Sequence, residues 1–580
     1  MNEMSDQVRG IIFVIVALVI FFAWSHFFGP VPTKAPAQQQ HAALPAGEAK
    51  AQPGKPAKAP VVAPPSAPRG TPVAHAASER LMVVESPLYR VEISNQGAVV
   101  RSWTLKKYLD DETPPRPLDL VNAESSRQFG WPLSLQLSDT RAEALANTGL
   151  FQASAVTPAG AAASDQTHFQ APVSLAFHFS DGHLDVTKKF DFTQTYQLTV
   201  ETSILLDGKP LPAALAWRGG FGDKTVYNEA QLVQVFYNQG GKLETLSYKK
   251  LGVKDNESQP SIHSGPLEFA GIQDQFFAAA FIPDATPNLD LWDWTKNRNL
   301  TVDGKQESQP VAEMAAGSAQ PEPLKLRMYV GPKDLGLLNQ VHPSLEALVN
   351  FGWFTVLAKP LLFAMQWLHK YIPNYGWTIV VFTLIINCAV FPLKMKSWRS
   401  MQRMQVVMPE IRSIQDRYKK YSMTDPRKRK MNEEVMAVYQ REGINPMGSC
   451  LPMLLQMPIL YAFWDVLRGA IELRHAPWIF WVHDLSAKDP YYILPIVMTI
   501  TMYLMTKMTP QTTVDPTQQK MMTLMPVAFA VLFFNFSSGL NLYMFTSNLV
   551  GVGQQYYLNR THPLPKISKF KKKKAGVNAV

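Results

Sequence analysis

Cysteine is nearly absent from this 580-residue chain: there are two, Cys388 and Cys450, both inside apolar runs. That excludes a disulfide framework, a zinc ribbon and a CxxC redox centre. Charge is scarce too, 18% of residues against 46% hydrophobic, which excludes bulk disorder. No phosphate loop, nucleophile elbow or convincing pair of carboxylates occurs, so the chain reads as a non-enzyme with no cofactor and no metal. His178 and His183 lack a carboxylate or third histidine at ligand spacing and read as surface residues. The net charge of +10 is uneven: 394–446 and 559–580 together carry +14, leaving about −4 for the rest. Cytoplasmic loops obeying the positive-inside rule explain that distribution better than nucleic-acid binding.

What is present divides the chain. Residues 11–28 form an apolar run of about the length that crosses a bilayer as a helix, without a clean cleavage context after it, so 1–29 reads as an uncleaved anchor. Residues 30–78 hold eleven of the 45 prolines among Ala, Gln and Lys, a tether that cannot bury enough apolar area to fold. From about 79 to 335 short alternating segments bounded by turn residues predict an antiparallel β-sandwich, a binding or spacer domain; examples begin at Leu88, Val173 and Tyr196. Within 336–375, the segment 354–371 is apolar on one side and carries Lys359, Gln366, His369 and Lys370, as suits a helix lying in the membrane interface.

Five spans follow, at about 376–393, 447–468, 491–508, 523–537 and 540–558. Between the first two, the basic loop 394–446 reads as an antiparallel helical hairpin. Met401, Met404, Met408, Ile411, Ile414, Tyr418 and Tyr421 form one seam, and Met431, Val435 and Val438 or Tyr439 the other, with a bend near Pro409. With the anchor this makes a multi-span α-helical membrane protein of six transmembrane helices, a five-helix core at 376–558 and a basic tail at 559–580. An even number puts both termini on one side, and the KFKKKK tail makes that side cytoplasmic. The β domain then lies in the periplasm of an inner membrane.

Ordered motifs add a resemblance. Asn445-Pro-Met-Gly-Ser-Cys-Leu-Pro-Met-Leu-Leu-Gln-Met-Pro458, Glu472-Leu-Arg-His-Ala-Pro477, His483-Asp-Leu-Ser-Ala-Lys-Asp-Pro-Tyr-Tyr-Ile-Leu-Pro495 and Ser538-Gly-Leu-Asn-Leu-Tyr543 are similar to those of the YidC membrane protein insertases, relatives of the Oxa and Alb insertases. The resemblance implies an insertase and chaperone with a hydrophilic groove open to cytoplasm and lipid. It implies as partners nascent membrane proteins, the Sec translocon and its accessory subunits, the ribosome and membrane lipids. A small-molecule secondary transporter is the competing function, without an inverted repeat to support it.

By resemblance Thr383, Gln456, Met457 and Tyr543 are groove or substrate-contacting candidates, and Lys569, Lys571, Lys572, Lys573 and Lys574 contact ribosome or lipid. Family members usually carry a groove arginine where this chain has Asn387. Two readings compete: the amides Asn387, Gln456, Asn535 and Asn541 keep the groove wet without charge, or a nearby cation substitutes. Lys394 and Arg399, beyond Pro392, read as membrane-end anchors, so the amide reading is preferred and Asn387→Arg is expected to be tolerated.

Overall fold

The computed structural model describes residues 72–156, 167–225, 232–251, 260–284, 288–302, 305–421, 425–443, 451–509 and 516–561. The expected anchor, most of the tether, the start of the Asn445 motif and the basic tail lie outside them. The chain divides into a β-rich unit ending at Val349 and a helical unit beginning at Asn350. That boundary falls past the expected 335/336, because the helix Leu335–Val341 and the turn Pro343–Leu348 group with the β-rich unit.

In the β-rich unit one large sheet runs in the order Lys242–Ser247, Gln234–Gln239, Leu267–Gln273, Phe277–Pro283, Leu324–Pro332, Gln197–Leu206, Leu184–Phe192, Val173–Ser180, Gln152–Val156. Two five-stranded sheets complete the unit, one centred on Tyr89–Ser94, the other on Lys305–Gly317. Pairing is antiparallel apart from Leu81–Glu85 beside His168–Gln170. Trp103 and Tyr89 of the first small sheet meet Phe192 of the large one at 6.5 and 6.4 Å. The strand Lys305–Gly317 of the other contacts Gln234–Gln239 and Leu267–Gln273 of the large sheet. The expected sandwich layering is thus present.

Period-two burial is strictest in Leu184–Phe192, where Leu184, Val186, Lys188, Phe190 and Phe192 all face inward. Lys188 breaks the apolar rule and is fully buried. Its ammonium donates to the carbonyls of Gly97, Ala98 and Leu133 at 2.9, 3.2 and 2.9 Å. All three residues have positive φ, and in this conformation their carbonyl oxygens meet on one ammonium.

The helical unit contains α1 (Thr355–His369), α2 (Tyr375–Arg417), α3 (Pro426–Arg441), α4 (Leu451–Gly469), α5 (Ile493–Met508), α6 (Pro516–Phe533) and α7 (Ser538–Thr561). Helix α1 buries Ala358, Leu362, Met365 and Leu368 at helical spacing and leaves Val356, Phe363 and Trp367 exposed. Helix α2 is capped by Asn374, whose side chain accepts from the Trp377 N–H, and holds 43 residues, roughly 65 Å at 1.5 Å per residue. The first span and the first arm of the hairpin are therefore one helix through Pro392 and Pro409, not two. Its far end packs with α3 around Met404, Val407, Ile411, Ile414 and Val438. Among the described residues α2 alone is long and apolar enough to cross a membrane by length and composition; Ile493–Met508 and Lys520–Phe533 are shorter apolar helices.

Candidate functional site

Helices α2 and α7 run side by side in the same direction. Pairs separated by 160 residues mark the register: Asn387 meets Ser547, and Lys394 meets Gln554. Small and polar residues of α7, among them Gly539, Thr546, Ser547 and Gly551, are buried and permit close approach. A Cβ on Gly551 would come within 2.8 Å of Met505 Sδ on α5.

At mid-length this seam becomes polar. Asn387, 4% exposed, donates from Nδ2 to the Thr383 carbonyl at 2.9 Å and to Ser547 Oγ at 3.3 Å. Its Oδ1 accepts from Lys394 Nζ at 2.8 Å. Gln554 Nε2 donates to the Asn387 carbonyl at 3.2 Å, while its Oε1 lies 3.5 Å from Lys394 Nζ. Pro392 removes the N–H that would bond the Cys388 carbonyl, and the Gln554 bond braces the backbone one residue earlier. Lys394 is thus not set down as a simple membrane-end anchor. It is half-buried and turned back two turns along its own helix to reach Asn387.

Apart from Thr383, whose carbonyl accepts from Asn387, the other sequence-selected residues do not gather here. Thr383 is buried one turn before Asn387 and donates to the Ile379 carbonyl at 2.6 Å. Tyr543, 3% exposed, lies against Phe463 at 4.6 Å, and Phe463 stacks on Phe382 at 5.5 Å, so Tyr543 belongs to an aromatic cluster joining α2, α4 and α7. Asn541 secures the α6–α7 turn, donating to the carbonyls of Phe533 and Phe536 at 3.2 and 3.3 Å. Asn535 is exposed and accepts from Lys488 at 3.0 Å. Neither of these two amides sits with Asn387, which corrects the four-amide grouping. Gln456 is exposed and Met457 half-buried on α4, two turns before Phe463. The ring contacts of α4 to α2 and α7 fall at Phe463, near its other end, and the adjacent Trp464 meets Phe536 in the α6–α7 turn. Ser547, Gln554 and the inward turn of Lys394 were missed; the signal available was a lysine seven residues after an amide in a helix with no acid before Glu410.

His178 and His183 each meet a separate carboxylate, Asp185 at 3.3 Å and Asp207 at 2.8 Å, and form no shared ligand set.

Residues 81–364 match the family model described as YidC periplasmic domain, and 367–566 that described as 60Kd inner membrane protein. The membrane protein insertase YidC of Burkholderia multivorans is 30% identical, over 99% of this chain and 100% of its own length. That of Paraburkholderia phymatum is 32% identical over 83% of this chain and 84% of its own. A crystal structure of an active YidC insertase with its first transmembrane domain resolved aligns with 84% of this chain and 95% of its own at 17% identity, with a TM-score of 0.34. With full-length relatives at this identity and both family models matched in order, the chain belongs to the YidC family of membrane protein insertases.

Proposed function

We propose that this chain inserts and helps fold integral membrane proteins, alone or beside the Sec translocon, through a wet notch bounded by α2, α4 and α7. The observation that carries this is the polar seam Asn387, Lys394, Ser547 and Gln554 between α2 and α7, with the Gln456 end of α4 exposed nearby in sequence to its contact with Phe382 and Tyr543. A polar segment crossing a hydrocarbon core of about 30 Å leaves backbone groups unpaired, each costing several kcal/mol. Polar side chains that hold water partway across shorten the dry path. The apolar helix of the substrate then partitions into lipid, and no nucleotide is required.

In this reading Asn387, Gln456 and Met457 line the notch, Thr383 supports Asn387, and the cluster of Phe382, Phe463 and Tyr543 closes its outer end. The topology has six spans, both termini in the cytoplasm and the β-rich unit in the periplasm. The lysines at 569 and 571–574 meet anionic lipid or the ribosome, an attraction that weakens with salt. Full-length protein in lipid vesicles tests the proposal: a short single-span substrate inserts with it and not with empty vesicles. Asn387→Leu, which dries the seam and strips Lys394 of its acceptor, lowers insertion with expression intact. Unchanged insertion by that variant, or solute flux without insertion, contradicts the reading.

A further inference from the structure

We propose that residues 476–485, between α4 and α5, form a membrane-dipping finger whose Phe480 ring inserts into the interfacial layer of the lipid leaflet at that end of the helices. Such a finger requires only that the helical unit lies in a membrane, and it stands or falls apart from insertion activity.

The finger is fixed at its root. The Leu485 N–H donates to the Ala476 carbonyl at 3.0 Å, the Trp478 N–H to the Val482 carbonyl at 2.9 Å, and the Val482 N–H to the Ile479 carbonyl at 3.0 Å. Val482 and Leu485 are buried. On one side Asn374 Nδ2 donates to the Trp478 carbonyl at 3.2 Å, and a Cβ on Gly376 would collide with the Trp478 indole. On the other, the Gly539 N–H at the start of α7 donates to the Leu485 carbonyl at 2.8 Å. A braced base therefore presents the tip, and the exposure of the tip is set by the fold.

Phe480 and Trp481 occupy that tip. Phe480 has a φ of 49°, in the left-handed region that a large side chain avoids, and is 83% exposed. Both features are unfavourable in water. Among the described residues its ring contact is with Trp481, stacked at 6.1 Å, which offsets little of that cost. Trp481 commits its indole N–H to Asp489 Oδ1 at 3.1 Å. The stretch Pro477-Trp-Ile-Phe-Trp-Val482 carries neither charge nor hydroxyl, so what it offers outward is apolar.

The continuation of this patch identifies the occupant. Asp489 Oδ1 also accepts from the Tyr491 N–H at 3.1 Å, and after exposed Tyr491 the exposed Ile493, Ile496 and Ile500 follow one face of α5. Trp478 meets Trp377 at 5.8 Å, and exposed Trp377 heads a face of α2 that includes exposed Leu384 and Ile385. Aliphatic helix faces ending in Trp and Tyr are the pattern of a bilayer boundary, where rings sit between acyl chains and headgroups. A protein partner would draw on polar groups around the contact to fix its register, and the tip has none.

The test places para-fluorophenylalanine at position 480 of the full-length protein in nanodiscs of zwitterionic lipid. In fluorine NMR, a nitroxide on the upper acyl chain erases the 480 signal and a water-soluble nickel chelate spares it. The same label at buried Phe277 responds to neither. Phe480→Asn then removes the ring while suiting the left-handed backbone better. In the bilayer it quickens amide exchange of Trp478 and Val482 by roughly tenfold, the scale of an apolar ring's burial, whereas Phe480→Trp leaves the exchange unchanged. If the ring is only strained, Phe480→Asn slows that exchange and the finger is refuted. Erasure of the 480 signal by the chelate also refutes it, since the ring is then in water. Protection from both agents refutes it as well, because a protein surface then covers the ring.

Discussion

At the scale of single residues, two buried charges in the β-rich unit make its stability depend on pH in opposite directions. Burial pushes the Lys188 ammonium down from 10.5 to about 7. Between those values the unfolded chain binds more protons than the folded one, so stability rises with pH from about 7 toward 10.5. Glu313, nearly fully buried between the Gly219 N–H and the Trp294 indole, is raised by burial from 4.5 to about 7. Its folded form holds the proton longer, so its contribution falls as pH rises from 4.5 to about 7. Hydrogen exchange on the strand Leu184–Phe192 in the full-length protein should therefore be fastest, after correction for intrinsic rates, near neutral pH. Lys188→Met should remove the alkaline limb and cost on the order of 2–4 kcal/mol, because three inward carbonyls lose their donor. Alternation identified the strand but gave no reason for a lysine on its inward face. The reason lies in Gly97, Ala98 and Leu133, 55 to 91 residues away in sequence.

Asn387→Arg reads differently once the structure is considered. From sequence it restores the customary groove cation. In the fold it places a guanidinium against the Lys394 ammonium, 2.8 Å from the present Oδ1. Like charges at that range repel, so the single variant should lose insertion and the double variant with Lys394→Gln should recover it.

At the scale of elements, the hairpin was legible because its seams recur at threes and fours: Met404, Met408, Ile411, Ile414 and Tyr418 all meet α3. Val407 was passed over because neighbouring Met408 satisfied the same spacing. Ile411→Ser should cost about 2–4 kcal/mol of hairpin packing. Limited proteolysis should then cut between Arg417 and Pro426 faster, while the α2–α7 seam keeps its protection. The ion pairs Arg417–Glu434 and Arg441–Glu410, at 2.7 and 2.6 Å but largely exposed, should contribute little by comparison. What spacing could not reveal was the use of Asn541. Its motif looks the same whether the amide faces a groove or, as here, bonds back to Phe533 and Phe536 to close a turn.

At the scale of the whole molecule, composition alone separated a polar β-rich half from an apolar helical half, and the two compact units follow that division. The join did not follow composition, since Leu335, Leu338, Leu345 and Leu348 look like the approach to a membrane yet are buried with the β-rich unit. The charge asymmetry predicts an orientation: in intact cells with a permeabilised outer membrane, protease should digest the β-rich unit and spare the lysine tail. A cleaved tail under those conditions would reverse the topology.

One consequence follows from the unbroken length of α2. From Lys394 to Arg417 it is one continuous helical segment of roughly 35 Å, packed beside Gln554 of α7 at one end and clasped by α3 at the other. Whatever grips the clasp holds a lever whose short arm ends at the ammonium. Tilting the rod by about 10° sweeps its outer tip by roughly 6 Å, so a partner docking on the hairpin can shift the inner end of the same rod without touching the bilayer.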